Sequence, residues 1–91
     1  MAVFVIGYDL HPSKGETYDD LLKAIPKVGT SSWHCIDSTW LVVSDKTAAE
    51  IRNELKAHLL PDDQLLVVKY GKGAAWFGFA GKCNQWLVDN L

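Results

Sequence analysis

Apolar residues occupy both alternating faces of the opening stretch Ala2-Val-Phe-Val-Ile-Gly-Tyr8 and stop at Asp9, the pattern of a strand in mid-sheet. After the loop His11-Pro-Ser-Lys-Gly15, Thr17-Tyr-Asp-Asp20 resembles a capping box, and Tyr18, Leu21, Leu22 and Ile25 recur at helical spacing. That helix is expected to stop near Pro26, with Gly29 as a flexible exit. Residues 32–36 and 39–43 are strand-like runs rich in Trp, Ile, Thr and Val, joined by Asp37-Ser38 as a tight turn. Thr47-Ala-Ala-Glu50 is a cleaner capping box, and Ile51, Leu55 and Leu59 continue one apolar stripe until Pro61. Residues 64–70 alternate as a fourth strand.

The order βαββαβ predicts an α+β, ferredoxin-like domain, an antiparallel four-stranded sheet with both helices on one face. Strands one and four carry apolar side chains on both sides, so the other face needs a cover, either another chain or the C-terminal segment. Residues 71–81 supply an irregular stretch or short fifth strand, with Trp76, Phe77 and Phe79 as anchors of a self-interface. Residues 83–91 close the chain as a short helix. Residues 1–91 thus form a single domain, with a core over 1–70 and a C-terminal extension over 71–91.

Composition narrows the function. Ninety-one residues at 48% hydrophobic make one modest core, and a chain this small gains stability from self-association, so an oligomer is consistent with its size. The net charge is −2, and Arg52 is the single Arg among nine basic residues, which argues against a protein that coats nucleic acid. Cys35 and Cys83 are too few for a disulfide framework and lie in no zinc spacing, so they are expected as free thiols in a reducing cytoplasm. The first apolar run lacks a basic leader, and none approaches the ~20 residues that span a bilayer. The expectation is a cytoplasmic protein with no membrane partner.

Alternating strand direction gathers the end of strand one, the hairpin turn and the start of strand four at one rim. Asp9, His11, Asp37, Ser38, Thr39, Asp62 and Asp63 therefore share an edge. Such a carboxylate-rich rim can hold Mg²⁺ or Mn²⁺ through oxygen and so act on phosphoryl groups. Turn aspartates also serve simply to bond nearby backbone, which is the commoner role for Asp37, Asp62 and Asp63. Asp9 differs, because a charge ending an apolar mid-sheet strand is costly without a partner. His34 is read as a half-exposed edge residue, and His58 as a partner for the helix C-terminal dipole.

Val5-Ile-Gly-Tyr-Asp9, followed by a helix and a Trp- and Ser-containing hairpin, resembles the Cas-two-like group, the small CRISPR-associated endoribonuclease subunit and its relatives. Trp33-His-Cys-Ile-Asp-Ser-Thr-Trp40 looks closer still to the small bacterial proteins labelled SinR-like. VapD toxin ribonucleases share this fold. The resemblance spans residues 1–70 and implies a ferredoxin-like homodimer in which Asp9 holds a divalent metal and serves phosphodiester cleavage of RNA or DNA. A non-catalytic dimeric scaffold or regulatory module binding a protein partner is the alternative, and the acidic charge favours it.

Overall fold

The computed structural model describes residues 1–12, 15 and 17–91; the part of the expected first loop at Ser13, Lys14 and Glu16 lies outside them. The elements are β1 (Ala2–Asp9), α1 (Asp19–Lys27), β2 (Ser31–Ile36), β3 (Thr39–Ser44), α2 (Ala48–Lys56), β4 (Gln64–Lys69) and α3 (Gly81–Asn90). Among the described residues, four strands form one antiparallel sheet in the order β2-β3-β1-β4. The protein is therefore a compact α+β fold with three helices.

The period-two alternation divides β1 between two cores. Phe4 and Ile6 face α1 and α2, packing with Val42 and Trp40 against Leu21, Ile25, Ile51 and Leu55. Each such side chain contributes roughly 1.5–3 kcal/mol by leaving water. Val3 points the other way, into a smaller cluster with Trp33, Leu41 and Leu87. Register joins Trp33 to Leu41, Leu41 to Val5 and Val5 to Val68, so one apolar row crosses every strand on that outer face. Helix α3 packs on β2 and covers the row's β2 end. At its β4 end Val68 is exposed, and Leu66 one pleat away keeps 63% of its surface in water.

Two expectations need correction. The first helix starts at Asp19, so Tyr18 and not Thr17 stands at its N-cap and, among the described residues, it has no capping side chain; the Tyr18 hydroxyl bonds Asp63. It stops near Pro26 as expected, one residue on at Lys27. The chain leaves the helix in tight turns, Val28 N–H donating to the Ile25 carbonyl and Gly29 N–H to that of Pro26. Most consequentially, Cys35 and Cys83 are not free thiols but form a disulfide between β2 and α3. The reasoning from free thiols to a reducing cytoplasm thereby loses its premise.

The second helix starts as expected but ends at Lys56, where tight turns from His58 N–H to the Leu55 carbonyl and from Leu59 N–H to that of Lys56 close it before Pro61 and leave His58 outside its last turn. Thr47 Oγ1 accepts from Glu50 N–H while Glu50 Oε1 accepts from Thr47 N–H, a complete capping box. Those bonds with Thr47, backbone first, hold the Glu50 carboxyl below its ordinary value. Residues 70–80 run as irregular chain from β4 to α3, so of the two expected forms the irregular one is present. No helix among the described residues is long and apolar enough to cross a membrane.

Candidate functional site

Asp9 is the last residue of β1 and pairs with Gln64 of β4. The strand ends at the surface, so its side chain is 69% exposed, and Oδ2 lies 3.3 Å from His11 Nε2. The expected desolvation of Asp9 is absent; the carboxylate is open to solvent beside an imidazole. A shallow depression of about 240 Å³ adjoins it, lined by Gly7, Tyr8, Asp9, Gln64, Leu65 and Leu66.

His11 is placed by Asp63. Its backbone N–H donates to Asp63 Oδ1 at 2.6 Å, the Tyr18 hydroxyl donates to the same oxygen at 2.9 Å, and Leu60 N–H donates to Oδ2 at 2.7 Å. One carboxylate thus ties together the loop after β1, the start of α1 and the loop before β4. Desolvation opposes ionisation of Asp63, but the N–H groups of His11 and Leu60, the Tyr18 hydroxyl and the His11 charge outweigh it and hold the carboxyl below its ordinary value. The linkage sign follows: a carboxyl depressed in the folded state adds stability above its unfolded pKa, and that stability is lost as pH falls through the folded value. As pH falls through and below the ordinary Asp value of about 3.9, the wild-type Tm is therefore expected to fall more steeply than that of Asp63→Asn; parallel curves from thermal melts would refute this role.

The hairpin turn meets β1 through Tyr8, not Asp9. Tyr8 N–H donates to the Ser38 carbonyl at 3.2 Å, its hydroxyl donates to the Asp37 carbonyl at 3.2 Å, and Trp40 Nε1–H donates to that hydroxyl at 3.1 Å. Asp37 and Ser38 therefore give this rim their backbone oxygens. Successive strand residues face opposite ways, so Tyr8 belongs to the α1/α2 side while Asp9 belongs to the outer one.

His34 joins the Tyr8 group, which the sequence did not reveal. Its ring stacks on Trp40 with centroids 3.9 Å apart and planes 12° apart, and Nε2 lies 2.9 Å from the Asp37 carbonyl. A carbonyl only accepts, so Nε2 carries the proton, and the neutral ring keeps a bare Nδ1. The bulge between Trp33 and Ile36 produces this stack, since regular pairing out from Ile36↔Thr39 would set Cys35 opposite Trp40. Two tryptophans flanking a His and a two-residue turn were the available signal.

No protein-family model and no solved structure matches this chain. The reading of the site accordingly rests on its own geometry. Among the described residues no group of three or more His, Cys, Asp or Glu side chains converges on a point that would hold a metal. Of the expected anchors, Phe79 sets its ring edge on Trp33 at 5.1 Å and Trp76 donates to Asn84 Oδ1, so both serve this chain's own cover. Phe77 is 95% exposed. A larger cavity of about 460 Å³ lies at the opposite end of β1, beside Met1, Asp45, Lys46 and Lys69; Lys46 there is paired with Glu54.

Proposed function

We propose that this chain is a ferredoxin-like, Cas-two-like homodimer that cleaves phosphodiesters in RNA or DNA with a divalent cation held at Asp9. The observation that carries the reading is the solvent-open Asp9 carboxylate at the end of a central strand, 3.3 Å from His11. The strand order β2-β3-β1-β4 with α1 and α2 packed on one face supports the fold assignment. Exposed Leu66 and Val68, opposite Gly7 and Val5 and so on the same face of the sheet as Asp9, support pairing of two copies over that face.

The donor chemistry fits Mg²⁺ or Mn²⁺, which take one or two carboxylates and complete their shell with water and substrate phosphate oxygens. When bound, such an ion supplies positive charge against the developing phosphoryl charge. The chain's own part is narrower. Asp9 provides the anionic oxygens, and His11, placed by the Asp63 bond, accepts or returns a proton next to them. Asp63 is not available as a ligand, because both of its oxygens hold backbone.

Asp9→Asn is expected to abolish cation-dependent cleavage of labelled RNA or DNA, with a loss of about 10²-fold or more, and to leave the Tm unchanged because the side chain is exposed. Equal cleavage by the variant and the wild type ends this reading. A second reading, a non-catalytic dimeric module for a protein partner, is favoured by Phe77 at 95% and Leu66 at 63% exposure on an acidic chain. Cleavage separates the two: a protein that sediments as a dimer and cleaves in neither cation selects the module.

A further inference from the structure

The C-terminal cover is held to the sheet by few bonds. Helix α3 buries Leu87 against Val3, Trp33 and Leu41. Trp33 Nε1–H donates to the Cys83 carbonyl at 3.0 Å, and Trp86 Nε1–H donates to Ser31 Oγ at 2.8 Å. The irregular residues 71–78 before it are exposed, and Gly73, Gly78 and Gly81 take positive φ. Against this light packing, the Cys35–Cys83 bond, spanning 48 residues, is worth about 4 kcal/mol in the chain-entropy account.

The two sulfurs sit in unlike surroundings. Cys83 is the third residue of α3, in a first turn that holds no acidic residue and, among the described residues, has no side-chain cap. The positive end of the helix and the adjacent Lys82 both favour an anionic sulfur there. Cys35 belongs to β2, between His34 and Ile36, and its sulfur meets the helix end only through the bond to Cys83. Both cysteines are half-buried, so a small reagent reaches them without global unfolding.

We infer that Cys35–Cys83 is an exchange-active disulfide, a redox site that takes a small thiol or dithiol as its reactant and releases Cys83 as the leaving sulfur, thereby unlatching the C-terminal cover. The attacking thiolate bonds to Cys35 Sγ, the Cys35–Cys83 bond breaks, and its electron pair leaves on Cys83, which takes a proton from water. A second thiol then attacks the mixed disulfide, forms the reagent's own disulfide and frees Cys35 as a thiol. Two electrons pass to the protein, and the reagent is oxidised. With the bond gone, the packing of Leu87, Phe79, Trp86 and Leu91 and two indole hydrogen bonds keep α3 over Trp33 without a covalent tie, so the cover opens while the β1–α1–α2 core stays closed. The inference stands apart from the phosphodiester reading.

The test uses the full oxidised chain and glutathione. Maleimide labelling without denaturant should rise from no thiols to both, and hydrogen exchange over residues 71–91 should speed up about tenfold or more with β1 and β3 still protected, the mark of local opening. Under limiting glutathione the trapped adduct should map to Cys35, and at neutral pH iodoacetamide should alkylate Cys83 in Cys35→Ser about fivefold faster than Cys35 in Cys83→Ser. Reduction only in denaturant, unchanged exchange over residues 81–91 after reduction, or an adduct on Cys83 would each overturn it. The adduct map uses wild-type protein, so it decides the leaving sulfur even if a single variant does not fold.

Discussion

Gly29→Ala is expected to destabilise the protein by about 3 kcal/mol, since overpacking against an unyielding neighbour reaches that size, and to lower the Tm by about 12–24 °C. Gly29 follows α1, where the chain turns directly over β3 and Thr30 N–H donates to the Val43 carbonyl at 2.9 Å. A methyl at this Cα would overlap the Val43 carbonyl oxygen, sit 2.5 Å from Val42 Cγ1 and lie 2.9 Å from the Val43 carbonyl carbon. Neither neighbour can yield. Val42 is fully buried and paired with Phe4, and Val43 is held by β1 and β2 on either side. Gly71→Ala, where nothing lies within 4 Å of the added methyl, should melt with the wild type. Thermal unfolding of both variants checks the contrast, and equal Tm values would mean that the α1–β2 connection is free to move.

Phe4→Ala should cost about 3–5 kcal/mol, the range for removing a buried aromatic ring. Phe4 is 2% exposed. It sits in the second strand from the β4 edge, paired with Val42 on one side and Lys69 on the other, and is one of the buried side chains that carry α1 and α2. The hole has no neighbour able to fill it, because Ile6, Leu21, Ile25, Ile51 and Leu55 are each anchored in their own element. A domain of this length has total stability of about 5–14 kcal/mol, so the urea midpoint should fall by a large fraction. Val88→Ala on the exposed side of α3 should move it by no more than about 0.5 kcal/mol. A Phe4→Ala midpoint near the wild type's would mean that the two helices do not depend on this ring.

What the sequence made legible was local or periodic. Unbroken apolar alternation in residues 2–8 identifies the central strand, and the reciprocal Thr47–Glu50 bonds are present as the hydroxyl and carboxylate three residues apart imply. What it hid was long-range. The start of α1 falls at Asp19, one residue past the position the Thr17 hydroxyl would cap, and Tyr18 at that point is bonded to Asp63, 45 residues away. The disulfide needs β2 and α3 laid side by side across a separation of 48, for which two isolated cysteines give no local pattern. At the site, the proximity of Asp9, His11 and Asp63 follows from topology, whereas the exposure of Asp9 depends on where β1 leaves the sheet. The His34–Trp40 stack depends on a bulge that alternation alone does not announce.

The two borders of the sheet are unequal, and that inequality limits how the molecule can grow. At β2 the ladder is broken by the bulge between Trp33 and Ile36 and the strand is fastened to α3 through Cys35, so it makes a poor template for an incoming strand. At β4, residues Gln64–Lys69 pair without interruption with β1 and leave their far side available. A fibre made by strand addition needs two receptive borders per molecule, one to give and one to receive. A chain with one can satisfy it only against the same border of another copy, which closes after two. The bulge and the fastened helix thus act as a stop against open-ended polymerisation.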